Sequence, residues 1–70
     1  MERFLQYSLE HDKPIRLILT EEDGRLRQVS AAVEKLEGNM VSLYILRPPR
    51  RITIPADRIL AASYMPKDEG

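Results

Sequence analysis

Turn and break signals lie so close together in this sequence that only short elements fit between them. Pro14, Asp23-Gly24, Gly38-Asn39, Pro48-Pro49 and Pro55 divide most of the chain into strand-length segments. Within them apolar residues recur with period two. Ile15, Leu17 and Leu19 form one side of a first strand. Asp23-Gly24 is a hairpin signal, since both residues tolerate positive φ. The run from Arg25 to Leu36 alternates at Val29, Ala31 and Val33, with Leu26 out of step. One extra residue, as in a β-bulge, would restore the phase and bend the strand. After Gly38-Asn39, the segment Met40 to Leu46 carries Val41, Leu43 and Ile45 on one side. Met40, Ser42, Tyr44 and Leu46 lie on the other, so both sides are largely apolar and the strand is predicted to be central. Arg47-Pro48-Pro49-Arg50 breaks it, because neither proline can donate to a ladder. Arg51 to Ile54 resumes with Ile52 and Ile54 inward. Pro55 to Arg58 suits a single helical turn, and Leu60 to Met65 forms a last strand around Ala62 and Tyr64.

The only helical period lies at the start. Met1, Phe4, Leu5, Ser8 and Leu9 occupy one face, predicting a helix over Glu2–His11 that frays at His11 and Asp12 before Pro14. About ten residues do not hold a helix in water alone, so this one must lie on the strands. Five short, twisted strands remove their exposed edges by curling into a barrel. The predicted fold is therefore mainly β: one domain over residues 1–65, a strongly bent antiparallel small barrel capped by the N-terminal helix. A disordered tail is expected over 66–70.

A 70-residue chain buries only about 60% of its unfolded surface, so its stability needs a supplement. The absence of cysteine excludes disulfides and thiolate metal sites, so oligomerisation or docking on a partner is expected alongside very regular packing as the supplement. One histidine, His11, builds neither a zinc site nor a hydrolytic constellation. The consecutive Glu21-Glu22-Asp23 diverge at a hairpin tip, where a cation needs convergent oxygens. No enzyme, metal or cofactor is expected. With neither a signal-peptide layout nor a span of about 20 apolar residues, the expected setting is cytoplasmic.

Net charge is zero, from 11 basic and 11 acidic residues, but the basic ones concentrate. From Gly24 to Arg58 there are seven (Arg25, Arg27, Lys35, Arg47, Arg50, Arg51 and Arg58) against Glu34, Glu37 and Asp57.

Leu43-Tyr44-Ile45, then Arg50-Arg51-Ile52-Thr53-Ile54, then Asp57-Arg58-Ile59-Leu60 resembles the C-terminal half of a WYL domain. The short helix, apolar strand, acidic turn ending in Gly24 and strand with Arg27 are also similar, so the likeness spans about Phe4 to Tyr64. It is strongest to short, stand-alone bacterial WYL-like proteins. Leu43 stands where the family has tryptophan, and Leu19 where tyrosine is common. The resemblance implies an Sm-like or SH3-like barrel and a sensory or ligand-binding module tied to transcription regulation or nucleic-acid ligands. Sm-like RNA-binding ring proteins share the element order, although this chain lacks the glycine that usually bends their second strand.

A ligand face is predicted from Tyr44, Arg47, Arg50, Arg51 and Arg58. Guanidinium groups bind phosphate bidentately and stack on bases, and the Pro48-Pro49 loop would hold them rigidly. The expected ligand is anionic, a nucleotide or nucleic-acid strand. Against this stands an ordinary charged loop, with Arg58 paired to Asp57 or a nearby glutamate and Tyr44 covering the core. Arg25 and Arg27 either extend the patch or pair with acids across strands. A third reading makes Met40, Tyr44 and Leu46 an apolar patch for a second copy or a protein partner.

Overall fold

A computed structural model describes residues 2–65. The element order is helix α1 (Glu2–His11), strands β1 (Ile15–Thr20), β2 (Leu26–Glu37), β3 (Met40–Leu46) and β4 (Pro49–Pro55), a one-turn 3-10 helix (Ala56–Arg58), and β5 (Ile59–Tyr64). Helix, strands and single turn follow the expected order. The expectations for Met1 and for the tail 66–70 lie outside the described residues.

All pairings are antiparallel, in one sheet of order β4-β3-β2-β1-β5. The sheet is open, with β4 and β5 as its edges and no ladder between them among the described residues. The expected closure into a barrel is therefore not formed. Both edges resist it chemically: β4 begins and ends on prolines, and β5 is interrupted where Leu60 bulges between Ile59 and Ala61.

The inner face follows the period-two pattern. Ile15, Leu17, Leu19, Val29, Ala31, Val33, Val41, Leu43 and Ile45 are all buried there, with Ile52 and Ile54 packed against them. β2 corrects one detail. Its register on β3 passes from Val33↔Leu43 directly to Lys35↔Ser42, so Glu34 is the extra residue. Leu36 thereby returns to the core side opposite Val41, whereas Leu26 stays out of step and is 63% exposed. The bulge sits where β2 passes beyond the end of β1, whose last partner on it is Ala31. Before that point two neighbouring ladders hold the phase. Beyond it, one does.

α1 packs chiefly on β2 and also touches β5 and β1. Leu5 is buried beneath it, and the fully buried Ser8 hydroxyl fastens the helix to the sheet. That hydroxyl accepts the Val33 amide at 2.8 Å and donates to the Lys13 carbonyl. The helix end is built rather than frayed. Asp12 takes φ 53° and the Lys13 amide reaches back to the Ser8 carbonyl at 3.2 Å, the bond of a Schellman-type stop.

At the β1–β2 turn only Gly24 adopts positive φ (87°), while Asp23 instead accepts the Arg25 amide with its carboxylate.

Candidate functional site

The five predicted ligand residues do not share one surface. β4 pairs with β3 in the register Leu43↔Ile52, Tyr44↔Arg51 and Ile45↔Arg50. Side chains alternate along a strand, so Arg51 shares the outer face with Tyr44 while Arg50 belongs to the opposite side with Ile45. Two adjacent arginines in a strand separate by geometry alone.

Arg51 is already occupied. Its guanidinium lies 5.2 Å from the Tyr44 ring centroid, and its Nε donates to both Glu34 oxygens at 3.1 and 3.3 Å. The side chain thus reaches back across β3 to the β2 bulge. The aromatic face that would stack a base is covered, and the charge is balanced. This pair remains largely in water, with 73% of the Arg51 side chain exposed, so its worth is well under about 1 kcal/mol.

Arg50 and Arg58 line a second region, a concavity of about 730 Å³ beside the outer edge of β4. Ile52, Thr53 and Ile54 line it too, with Glu21, Glu22, Asp23 and Arg25 of the β1–β2 turn. Its carboxylates match its guanidiniums in number. Arg47 lies elsewhere, in a depression with Gln28, Val29, Ser30, Leu46 and Met65. Arg25 and Arg27 are engaged by turn acids, Arg25 with Asp23 at 3.4 Å and Arg27 with Glu21 at 3.2 Å. Of the apolar patch, Met40 is 37% exposed, and Tyr44 and Leu46 are half-buried.

The backbone of β4 is what side-chain reasoning missed. The Ala56 amide donates to the Asn39 carbonyl, which extends the β3–β4 register by one pair and fixes its phase. In an antiparallel ladder, hydrogen-bonded and non-hydrogen-bonded pairs alternate. Val41↔Ile54, Leu43↔Ile52 and Ile45↔Arg50 therefore exchange bonds, while Pro49, Arg51, Thr53 and Pro55 direct their backbone groups outward. Two of these four lack an amide hydrogen. The free edge thus offers two donors, Arg51 and Thr53, in a window bounded by Pro49 and Pro55. One sequence signal for this existed: prolines six apart, an even spacing, must share one parity in a strand.

The same accounting at β5 starts from the Glu21 amide on the Arg25 carbonyl, which sets the β1–β2 phase. It leaves Ala62 and Tyr64 facing away from β1. There the Tyr64 ring is packed edge-on by Phe4 and Tyr7 of α1, at centroid distances of 4.7 and 4.8 Å.

Among the described residues, no cluster of His, Cys, Asp and Glu is arranged to hold a metal, and no helix is long and apolar enough to cross a membrane. Comparison of the chain with protein families, with curated proteins and with solved structures finds no match.

Proposed function

We propose that this chain is a non-catalytic binding module that takes up an extended protein segment along the free edge of β4. The supporting observation is the outward phase of Arg51 and Thr53 between two prolines. A guest strand would exchange main-chain bonds with these two residues and lay alternate side chains against Ile52 and Ile54. The prolines restrict the length of guest that can pair, which is how an edge stays open without templating aggregation. The strand order and the single turn before β5 are the features that support an Sm-like or SH3-like assignment. The WYL resemblance, a regulatory role and a cytoplasmic setting belong to the same proposal.

The test uses a panel of ten-residue peptides with alternating apolar and polar residues, titrated into labelled protein. Binding should move the backbone amide resonances of Arg51 and Thr53 first and most. Peptides that bind while leaving both amides unmoved would remove the edge from consideration.

A second reading, recognition of an anionic group such as a nucleotide or nucleic-acid phosphate, is favoured by one observation: Arg50 and Arg58 line the same concavity. Titration with single-stranded oligonucleotides at low and high salt decides it. Phosphate-driven affinity must be strongest at low salt and must fall in Arg58→Ala.

A further inference from the structure

We propose that the occupant of the β4 edge is a second copy of this chain, joined antiparallel across a two-fold axis at Ile52. This rests on the edge reading above and names the guest.

The edge is complementary to itself. When β4 meets its own copy with Ile52 opposite Ile52 of the partner subunit, Arg51 faces Thr53 of the partner subunit, and the reverse holds by symmetry. Arg51 and Thr53 are the two residues whose amides and carbonyls point outward, so each cross pair exchanges both of its bonds. No outward donor is left over. In the same register Pro49 meets Pro55 of the partner subunit, so each position that lacks a donor faces another that lacks one. A register shifted by two residues keeps four bonds, but it directs two of them to proline carbonyls and sets either Arg51 against Arg51 of the partner subunit, opposing like charges, or Thr53 against its own copy.

The side chains agree with this pairing. Ile52 meets its own copy at a non-hydrogen-bonded position, where strands bring side chains closest. Arg50 falls opposite Ile54 of the partner subunit, so no like charges are directly opposed on the inner face. On the outer face Arg51 is drawn back over Tyr44 to Glu34, which clears the edge and neutralises the two arginines nearest the axis. The adjoining concavity, with carboxylates and guanidiniums in equal number, suits a neutral copy of itself better than a polyanion. A small domain without disulfides also gains stability from covering this edge.

Sedimentation equilibrium of the whole chain, from about 5 µM to about 1 mM, should show a monomer–dimer equilibrium within that span. Thr53→Pro deletes two of the four intermolecular bonds and should weaken dimerisation roughly 10- to 100-fold. Ile52→Cys supplies a second readout that does not depend on how well the proline is tolerated. The chain has no cysteine of its own, so mild oxidation should give a single covalent dimer. Thr53→Cys, offset diagonally from its copy, should not crosslink.

A chain that stays monomeric throughout overturns the proposal. So does a dimer that resists Thr53→Pro and fails to crosslink through Cys at 52. In either case, movement of the Arg51 and Thr53 amides by added peptide would keep the edge reading and discard only the second copy as guest. Silent amides would discard both.

Discussion

The two edge strands of this sheet are interrupted by different means, one by a bulge and one by terminal prolines. β5 is interrupted by the bulge at Leu60, and Tyr64 near its end is packed under Phe4 and Tyr7. β4 has no bulge in its ladder, is not among the strands that α1 chiefly packs on, and carries proline at both ends. A bulge spoils the spacing that a guest strand would have to match. Terminal prolines leave the spacing intact and merely shorten the window. The lesson is that prolines at even spacing leave a short edge with intact spacing, whereas a bulge interrupts it.

The comparison breaks most severely if α1 is loosened, since β5 would then lose its cover while β4 would not. Leu5 is 5% exposed beneath the helix, and Leu5→Ala should cost about 2–5 kcal/mol by urea denaturation. A loss of that size is a large share of what a domain this small possesses. Below the transition, exchange of the Ala61 and Ser63 amides, which bond to β1, should rise with little change at β4.

Ser8→Val tests the same attachment more gently. The Val33 amide beyond the reach of β1 would lose its acceptor, costing about 1–3 kcal/mol because a buried donor is left unpaired. The readout is again urea denaturation, with Ser8→Thr retaining part of the loss. An effect under about 0.5 kcal/mol would mean that this hydroxyl does not fasten the helix.

Pro55→Ala acts on β4 alone. Pro55 sits at φ −63° and ψ 143°, which alanine adopts freely, so the strand keeps its path and gains an outward donor. In the symmetric pairing that donor faces the carbonyl of Pro49 in the partner subunit. Two added bonds per dimer should tighten association about tenfold, read by sedimentation. Unchanged association would show that proline does not limit this edge.

Much of the fold was legible because burial on one face imposes its period on the sequence. α1, β1, β3 and the single turn after Pro55 fall where helical spacing, alternation and proline place them. β4 reaches back to Pro49 because an edge strand tolerates proline where the amide would face outward. The bulge at Glu34 was not legible. Leu26 and Leu36 are both out of step with Val29, and sequence parity alone does not say which one the ladder will bring back. Closure was illegible for a related reason, since it depends on whether two edges meet, and no local pattern reports that. The predicted arginine face divides at a point that alternation could have caught: Arg50 and Arg51 are neighbours in a strand and must diverge.

Glu34→Gln is the smallest change and separates a role for Arg51 in the edge from one in an anion site on the Tyr44 face. It leaves the Arg51–Tyr44 contact in place but removes the charge that balances the guanidinium. Stability should move by less than about 0.5 kcal/mol, since both partners are substantially exposed and water screens the pair. The functional consequences run in opposite directions. With Arg51 unbalanced on each side of the two-fold, self-association should weaken about two- to threefold, and added salt should restore it. Had the outer face been an anion site restrained by Glu34, the same variant would gain affinity for single-stranded oligonucleotide at low salt instead. One substitution, read by sedimentation and by oligonucleotide titration at two salt concentrations, thus reports whether Arg51 serves the edge or the face.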